Sequence, residues 1–324
     1  MFVTAYAMQD RFGGLRGDDA KKLDQINFSF AHVADGRASV AHWENAGRIK
    51  SFIRENRNIK SVLSIGGWGA GGFSPAVSSG ENRKVFSESI SEIVNDFYFE
   101  GVDLDWEYPC DGSAGIEFSP DDKTNFTLLV EELRERLGAQ KLLTMAAGAG
   151  IHCANNLELP RLAELMDHII IMTYDMASSE YASHHTSLYR SEINPSLCAD
   201  QAIREYNEAG VPFNKLVIGA AFYARVYAGV DGIGSPFGGG FPPGLGGGYK
   251  NILARAEAAG GIKYDEQAEA PYIYDEAARE FITFDDERSI RAKRAYAEKM
   301  RLAGIMFWEY SNDAPGSPLL NAMV

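Results

Sequence analysis

The chain has 324 residues, 45% of them hydrophobic and 23% charged, with 45 acidic side chains against 31 basic ones and a formal charge of −14. That length buries a sizeable core and accommodates either one large α/β barrel or two ordinary domains. The acidic balance argues against nucleic acid as a partner, since Lys and Arg must neutralise its phosphates, and no apolar run reaches the ~18 residues of a membrane span.

Cys110, Cys153 and Cys198 are an odd count without CxxC spacing, so they spell neither a disulfide framework nor a zinc knuckle. No metal and no cofactor are expected. The opening MFVTAYAMQD has neither a basic n-region nor a long apolar h-region and reads as a strand. A cytoplasmic location is the expectation, or a secreted one if a signal has been removed.

Along the chain, strand-like runs alternate with amphipathic segments, the pattern of a parallel sheet wrapped by helices. Strands are expected at Phe2–Met8, Asp24–Val33, Ser61–Gly67, Gly101–Glu107, Leu142–Gly148, Asp167–Asp175, Lys215–Tyr223 and Ala303–Glu309. Helices are expected at Asn82–Phe97, Asp121–Leu137, Ala199–Ala209 and Glu287–Leu302, and Trp43 on a second helix as a packing residue. Eight strands with crossover helices predict a (β/α)8 TIM barrel. One segment, 225–281, breaks the rhythm. Ten of the twenty residues from Gly229 to Gly248 are glycine, which reads as a loop, and the aromatic and β-branched runs after it read as antiparallel strands. The expected organisation is a barrel of residues 1–224 and 282–324 with a small α+β insertion at 225–281 between its seventh and eighth strands.

The most informative stretch is FEGVDLDWEYP, Phe99–Pro109. Strand alternation turns Asp103, Asp105 and Glu107 to one face and Val102, Leu104 and Trp106 to the other, towards the helices. Three carboxylates inside a barrel are costly to bury and cannot all ionise comfortably. Glu107 comes last, at the C-terminal end where barrel enzymes place their active sites.

DLDWEYP resembles the signature of family-18 glycoside hydrolases, the chitinases and their relatives, whose pattern is D-x-x-D-x-D-x-E. The resemblance continues along the chain in SIGGW (Ser64–Trp68), MTYD (Met172–Asp175), AFYAR (Ala221–Arg225) and MFWE (Met306–Glu309). Two positions depart from the pattern. Glu100 replaces its first Asp, off the catalytic face by alternation, and Ala224 replaces a glycine beside Arg225.

The resemblance implies a retaining, substrate-assisted cleavage of β-1,4 bonds between N-acetylglucosamine units. Glu107 would be the acid/base, Asp105 would orient the substrate's acetamido group, Asp103 would share a proton with Asp105, and Tyr174 would bond the acetamido oxygen. Trp308 would form the floor under the sugar before the cleaved bond, with Asp175 on the same sugar. Met172, Trp68, Gly66, Gly67, Tyr108, Tyr223, Arg225, Tyr6 and Phe30 stand where the family contacts sugar. The expected partner is chitin or its oligosaccharides, with the protein a monomer. An endo-β-N-acetylglucosaminidase acting on N-glycans or peptidoglycan would share the carboxylates. A non-catalytic chitin-oligomer lectin would usually lack the acid.

Two other signals are set aside. Gly67–Gly72 spells GxGxxG after a strand, but FSPAVSSGE does not read as a helix to receive a pyrophosphate. His184 and His185 have no third ligand at a sensible spacing, and their loop is expected to shape the cleft.

Overall fold

The computed structural model describes residues 1–195, 197–239 and 243–324. In chain order the strands are β1 (Phe2–Met8), β2 (Gln25–Ala34), β3 (Arg37–Ser39), β4 (Lys60–Gly66), β5 (Gly101–Asp105), β6 (Leu142–Gly148) and β7 (His168–Met172). They continue as β8 (Leu216–Ala221), β9 (Tyr223–Ala228), β10 (Gly244–Gly248), β11 (Lys263–Asp265), β12 (Ala270–Asp275), β13 (Glu280–Thr283) and β14 (Gly304–Trp308).

Eight of them pair in parallel, in the order β1-β14-β8-β7-β6-β5-β4-β2, and β1 also pairs with β2. The sheet is therefore closed, and with its helices it is a TIM barrel. Closure leaves no solvent face, which is why these strands read as near-continuous apolar runs. Tyr6, Ala146, Ile170, Met172, Val217 and Met306 pack together in one buried cluster. Outside β5, Trp106 stacks on Phe73 at 5.2 Å and meets Phe126 edge-on at 6.0 Å.

The helices follow local chemistry. Gly80–Phe97 starts where the Ser79 hydroxyl accepts from Asn82 N at 3.1 Å, and Glu287–Met300 opens with a capping box between Asp286 and Ser289. Trp43 lies in the turn before the helix Ala46–Glu55 instead of on a helix; it is buried, and its indole N–H donates to Phe30 O at 2.8 Å. FSPAVSSGE does form a short helix, Phe73–Val77, entered through left-handed Gly72, and its last two residues open the helix Gly80–Phe97.

The interruption between β8 and β14 is a second sheet, antiparallel, in the order β10-β9-β13-β12-β11, with a helix at Tyr249–Ala258. Its pairing begins at Tyr223 and ends at Thr283. The expected single strand over Lys215–Tyr223 is broken. β8 ends at Ala221, Phe222 donates its N–H to Trp308 O at 2.8 Å, and the chain turns into β9. The glycine-rich run is not all loop either: Gly244–Gly248 is an edge strand on β9, while residues 240–242 of that run lie outside the described residues.

Candidate active site

The carboxylate file starts at the bottom with Asp103, which is fully buried and satisfied by three hydroxyls. Tyr6 and Ser64 donate to Oδ2 at 2.7 and 2.8 Å, and Thr144 donates to Oδ1 at 2.6 Å. The register supplies two of them, because Ser64, Asp103 and Thr144 are aligned neighbours on β4, β5 and β6. Burial raises the Asp103 carboxyl's pKa, and these hydrogen bonds oppose the rise.

Asp105, one strand period higher, lies at the end of the ladder. Its Oδ1 is buried with no hydrogen-bond partner. Burial first, then the charges of Glu107 and Asp103, push it well above the usual carboxylate range. Glu107 lies two residues beyond, past the last paired residue, and burial pushes it up to about 7. A bond with the Tyr108 hydroxyl opposes that rise, whereas the charge of Asp175 adds to it. A file with raised carboxyls at its top, above a fully bonded base, can hold and move a proton at neutral pH.

The walls are aromatic. Trp308, at the end of β14, stacks on Phe30 at 5.4 Å and 17°, and tilts against Tyr6 at 5.6 Å. Tyr174 meets Tyr223 edge-on at 5.9 Å, and its hydroxyl lies 4.0 Å from Met306 Sδ. Trp68 is 61% exposed at the rim and meets Tyr108 edge-on at 6.4 Å.

Asp175 is gripped from the inserted sheet. Arg225, on β9, donates from Nε to Oδ1 at 2.6 Å and from Nη2 to Oδ2 at 2.7 Å. Burial works against the charge of Asp175, but the two bonds from Arg225 outweigh it and hold its carboxyl below the ordinary range. Arg225 and Tyr223 thus reach the site from β9 and not from a barrel strand.

The remaining positions are buried or turned away from the open mouth. Tyr6 is buried and its hydroxyl is taken up by Asp103, so it supports the file from below instead of lining the open mouth. Gly66 is likewise covered. A Cβ there would stand 2.0 Å from Asp105 O, and one on Gly67 would stand 2.6 Å from the Phe30 ring. Both glycines act by what they lack, letting the chain pass against the file, and Gly67 N donates to Asp105 O at 2.8 Å. Met172 belongs to the buried barrel cluster. Glu100 faces Lys60 and Arg57, at 3.9 and 4.0 Å, away from the site. His184 and His185 diverge, one towards Asp265 at 3.3 Å and the other towards Asp175.

Sequence reasoning missed Ser64 and Thr144 as the hydroxyls under Asp103. A polar residue in an otherwise apolar barrel strand was the available signal. It also missed His185 as a neighbour of Asp175.

A file of protonatable carboxyls inside a parallel barrel, opening beside stacked aromatics, is the equipment of a glycoside hydrolase. The chain belongs to one family of them: the model for Glycosyl hydrolases family 18 matches residues 1–313. Chitinase 1 of Aphanocladium album is 34% identical over 82% of this chain and 65% of its own length. Chitinase A1 of Niallia circulans is 33% identical over 83% of this chain and 43% of its own. The chain thus spans between about two-fifths and two-thirds of these relatives. Among solved structures, a family-18 N-acetylglucosaminidase from Paenibacillus barengoltzii superposes with a TM-score of 0.93 at 38% identity, covering 99% of this chain and 98% of that one.

Proposed function

We propose that this protein is a chitinase-type hydrolase that cleaves β-1,4 bonds between N-acetylglucosamine units, with the substrate's own acetamido carbonyl as nucleophile. The observation that carries the reading is the orphaned Oδ1 of Asp105, a buried acceptor between the bonded Asp103 and Glu107, whose carboxyl burial pushes up to about 7. An acetamido N–H is the donor that such an acceptor lacks, and a buried unpartnered carboxylate oxygen is costly otherwise.

In the proposed cycle Glu107 gives its proton to the glycosidic oxygen. The acetamido oxygen attacks the anomeric carbon, forming a cyclic oxazolinium ion as the leaving sugar departs. Asp105 accepts the acetamido N–H and balances the positive charge, while Asp103 and its three hydroxyls keep Asp105 supplied with a proton partner. The Tyr174 hydroxyl, which has a weak contact with Met306, bonds the acetamido oxygen. Water then opens the ring, and Glu107 takes its proton back.

The N-acetylglucosaminidase likeness favours a second reading of the same chemistry, release of single N-acetylglucosamine units. Mass spectrometry of products from oligomers of several lengths separates internal cutting from end-wise release, and a glycoprotein substrate tests for cleavage of N-glycans. Glu107→Gln is expected to lose about a thousandfold or more in kcat while still binding the oligomers. Turnover by that variant close to wild type, or equal cleavage of a cellulose oligomer lacking acetamido groups, overturns the mechanism.

A further inference from the structure

We propose that His185 is a positioning residue for this reaction: its Nδ1 accepts from the backbone N–H of Asp175 and holds that residue where Arg225 grips its carboxylate. The proposal rests on the functional reading above and adds a residue to it.

His185 has a completely buried imidazole. The backbone N–H of Asp175 donates to Nδ1 at 3.3 Å, and Asp175 Oδ1 lies 3.5 Å from the same nitrogen. Asp175 needs such an anchor because its backbone is left-handed, with φ 56°, a conformation that costs a non-glycine residue free energy. Arg225 holds only the carboxylate end. His185 is the contact that holds the backbone end.

The imidazole is itself held from two sides. Its ring packs on Tyr223 at 5.2 Å, and Tyr223 in turn meets Tyr174. Its backbone N–H donates to Thr283 Oγ1 at 3.1 Å on β13, and its carbonyl accepts from Met176 N at 3.0 Å. Barrel and inserted sheet therefore both fix where Nδ1 points.

The charged and titratable groups facing it are Asp175 after β7, Arg225 and Tyr223 on β9, and Asp285 after β13. Asp285 is paired with the buried Lys293 at 2.6 Å. An imidazole whose Nδ1 accepts a bond carries its proton on Nε2. A proton added to Nδ1 would abolish the bond from Asp175 N and compete with Arg225 for Oδ1. His185 therefore works in its neutral form, which its burial favours.

The test joins a structural and a kinetic readout. In wild-type protein with 15N-labelled histidine, His185, assigned by its loss in His185→Phe, is expected to show the Nε2–H tautomer from pH 6 to 8. Kinetics on an N-acetylglucosamine oligomer then compare His185→Phe, which keeps the ring packing and deletes the acceptor, with His185→Asn, whose Oδ1 replaces Nδ1. The Phe variant is expected to lose tenfold in kcat with KM within twofold, and its basic limb should move at least half a pH unit lower. The Asn variant should recover the limb. His184→Asn, which removes contacts with Asp265, Tyr272 and Phe281 but none with Asp175, should leave the limb in place.

An Nδ1–H tautomer overturns the proposal, and this readout stands even where the Phe variant does not fold. So does a folded Phe variant with unchanged kcat and limb, or an effect on KM alone. Wild-type protein without turnover would instead overturn the functional reading, while the tautomer still decides the contact between His185 and Asp175.

Discussion

Glu107 should weigh against the fold at the pH where it works. Its ordinary value is 4.5, and burial moves it to about 7 in the folded protein. At 1.36 kcal/mol per pKa unit that gap corresponds to roughly 3 kcal/mol of free energy opposing its ionisation. Between those two values the unfolded chain has already released the proton that the folded chain retains. Stability therefore falls as pH rises from 4.5 to 7 and levels off above, by the usual linkage. Glu107→Gln cannot ionise and escapes the penalty. It also relieves Asp105, whose raised carboxyl owes part of its displacement to the charge of Glu107.

Urea unfolding of wild type and Glu107→Gln, followed by circular dichroism at pH steps from 4 to 8, reads this directly. The amide swap itself sets a constant offset, so the quantity of interest is how the difference changes. It should grow in favour of the variant by about 3 kcal/mol between pH 4 and pH 8. With an unfolding entropy of ~2.1 cal/mol/K per residue, that corresponds to a rise of roughly 4–5 °C in Tm at pH 8. Two stability curves that stay parallel within ~0.5 kcal/mol, below the scale of the linkage effect, would mean that Glu107 ionises like an exposed carboxylate. That result would remove the electrostatic basis of the acid assignment.

Two further outcomes follow from the same geometry. Thr144→Val leaves Asp103 Oδ1 without its donor at 2.6 Å and should cost about 1–3 kcal/mol in urea unfolding, with kcat reduced more than KM is changed. Trp68→Ala removes a ring that is 61% exposed, so stability should move by no more than ~0.5 kcal/mol, whereas KM for longer oligomers should rise at nearly constant kcat.

The file of carboxylates could be read in the sequence because period-two alternation is a local rule, and Asp103, Asp105 and Glu107 obey it within five residues. The eight barrel strands were legible for a related reason: burial on both faces makes each an apolar run. What supports the file was not legible. The three hydroxyls on Asp103 come from positions 97, 39 and 41 residues away in the chain, and only the barrel's register brings them together. Tyr6 looked like a sugar contact because it stands near a strand end, but inside a closed barrel it points at Asp103. Tyr223 seemed to end a barrel strand, and the break at Phe222 became visible only with the turn into β9. In each case the residue type was informative and the partner was not.

The departure at Ala224 shows how such a hidden partner works. On its own, an alanine where the family pattern has glycine looked like a threat to Arg225. In the structure the missing side chain has moved across the sheet. A Cβ on Gly246 would stand 2.8 Å from Ala224 Cβ and 3.0 Å from Val226 Cγ2. Gly246 also sits where the pairing of β10 with β9 shifts register, between Leu245 and Gly247, the irregularity of a β-bulge. Gly246→Ala should therefore overpack this contact and cost about 1–3 kcal/mol, loosening the grip of Arg225 on Asp175. Ala224→Gly in the same chain should return much of that loss, since it removes the opposing methyl. A double-mutant cycle in urea is expected to give a favourable coupling of at least ~0.5 kcal/mol. Additive effects would mean that the two positions are independent and that Ala224 is tolerated for some reason other than the glycine opposite it.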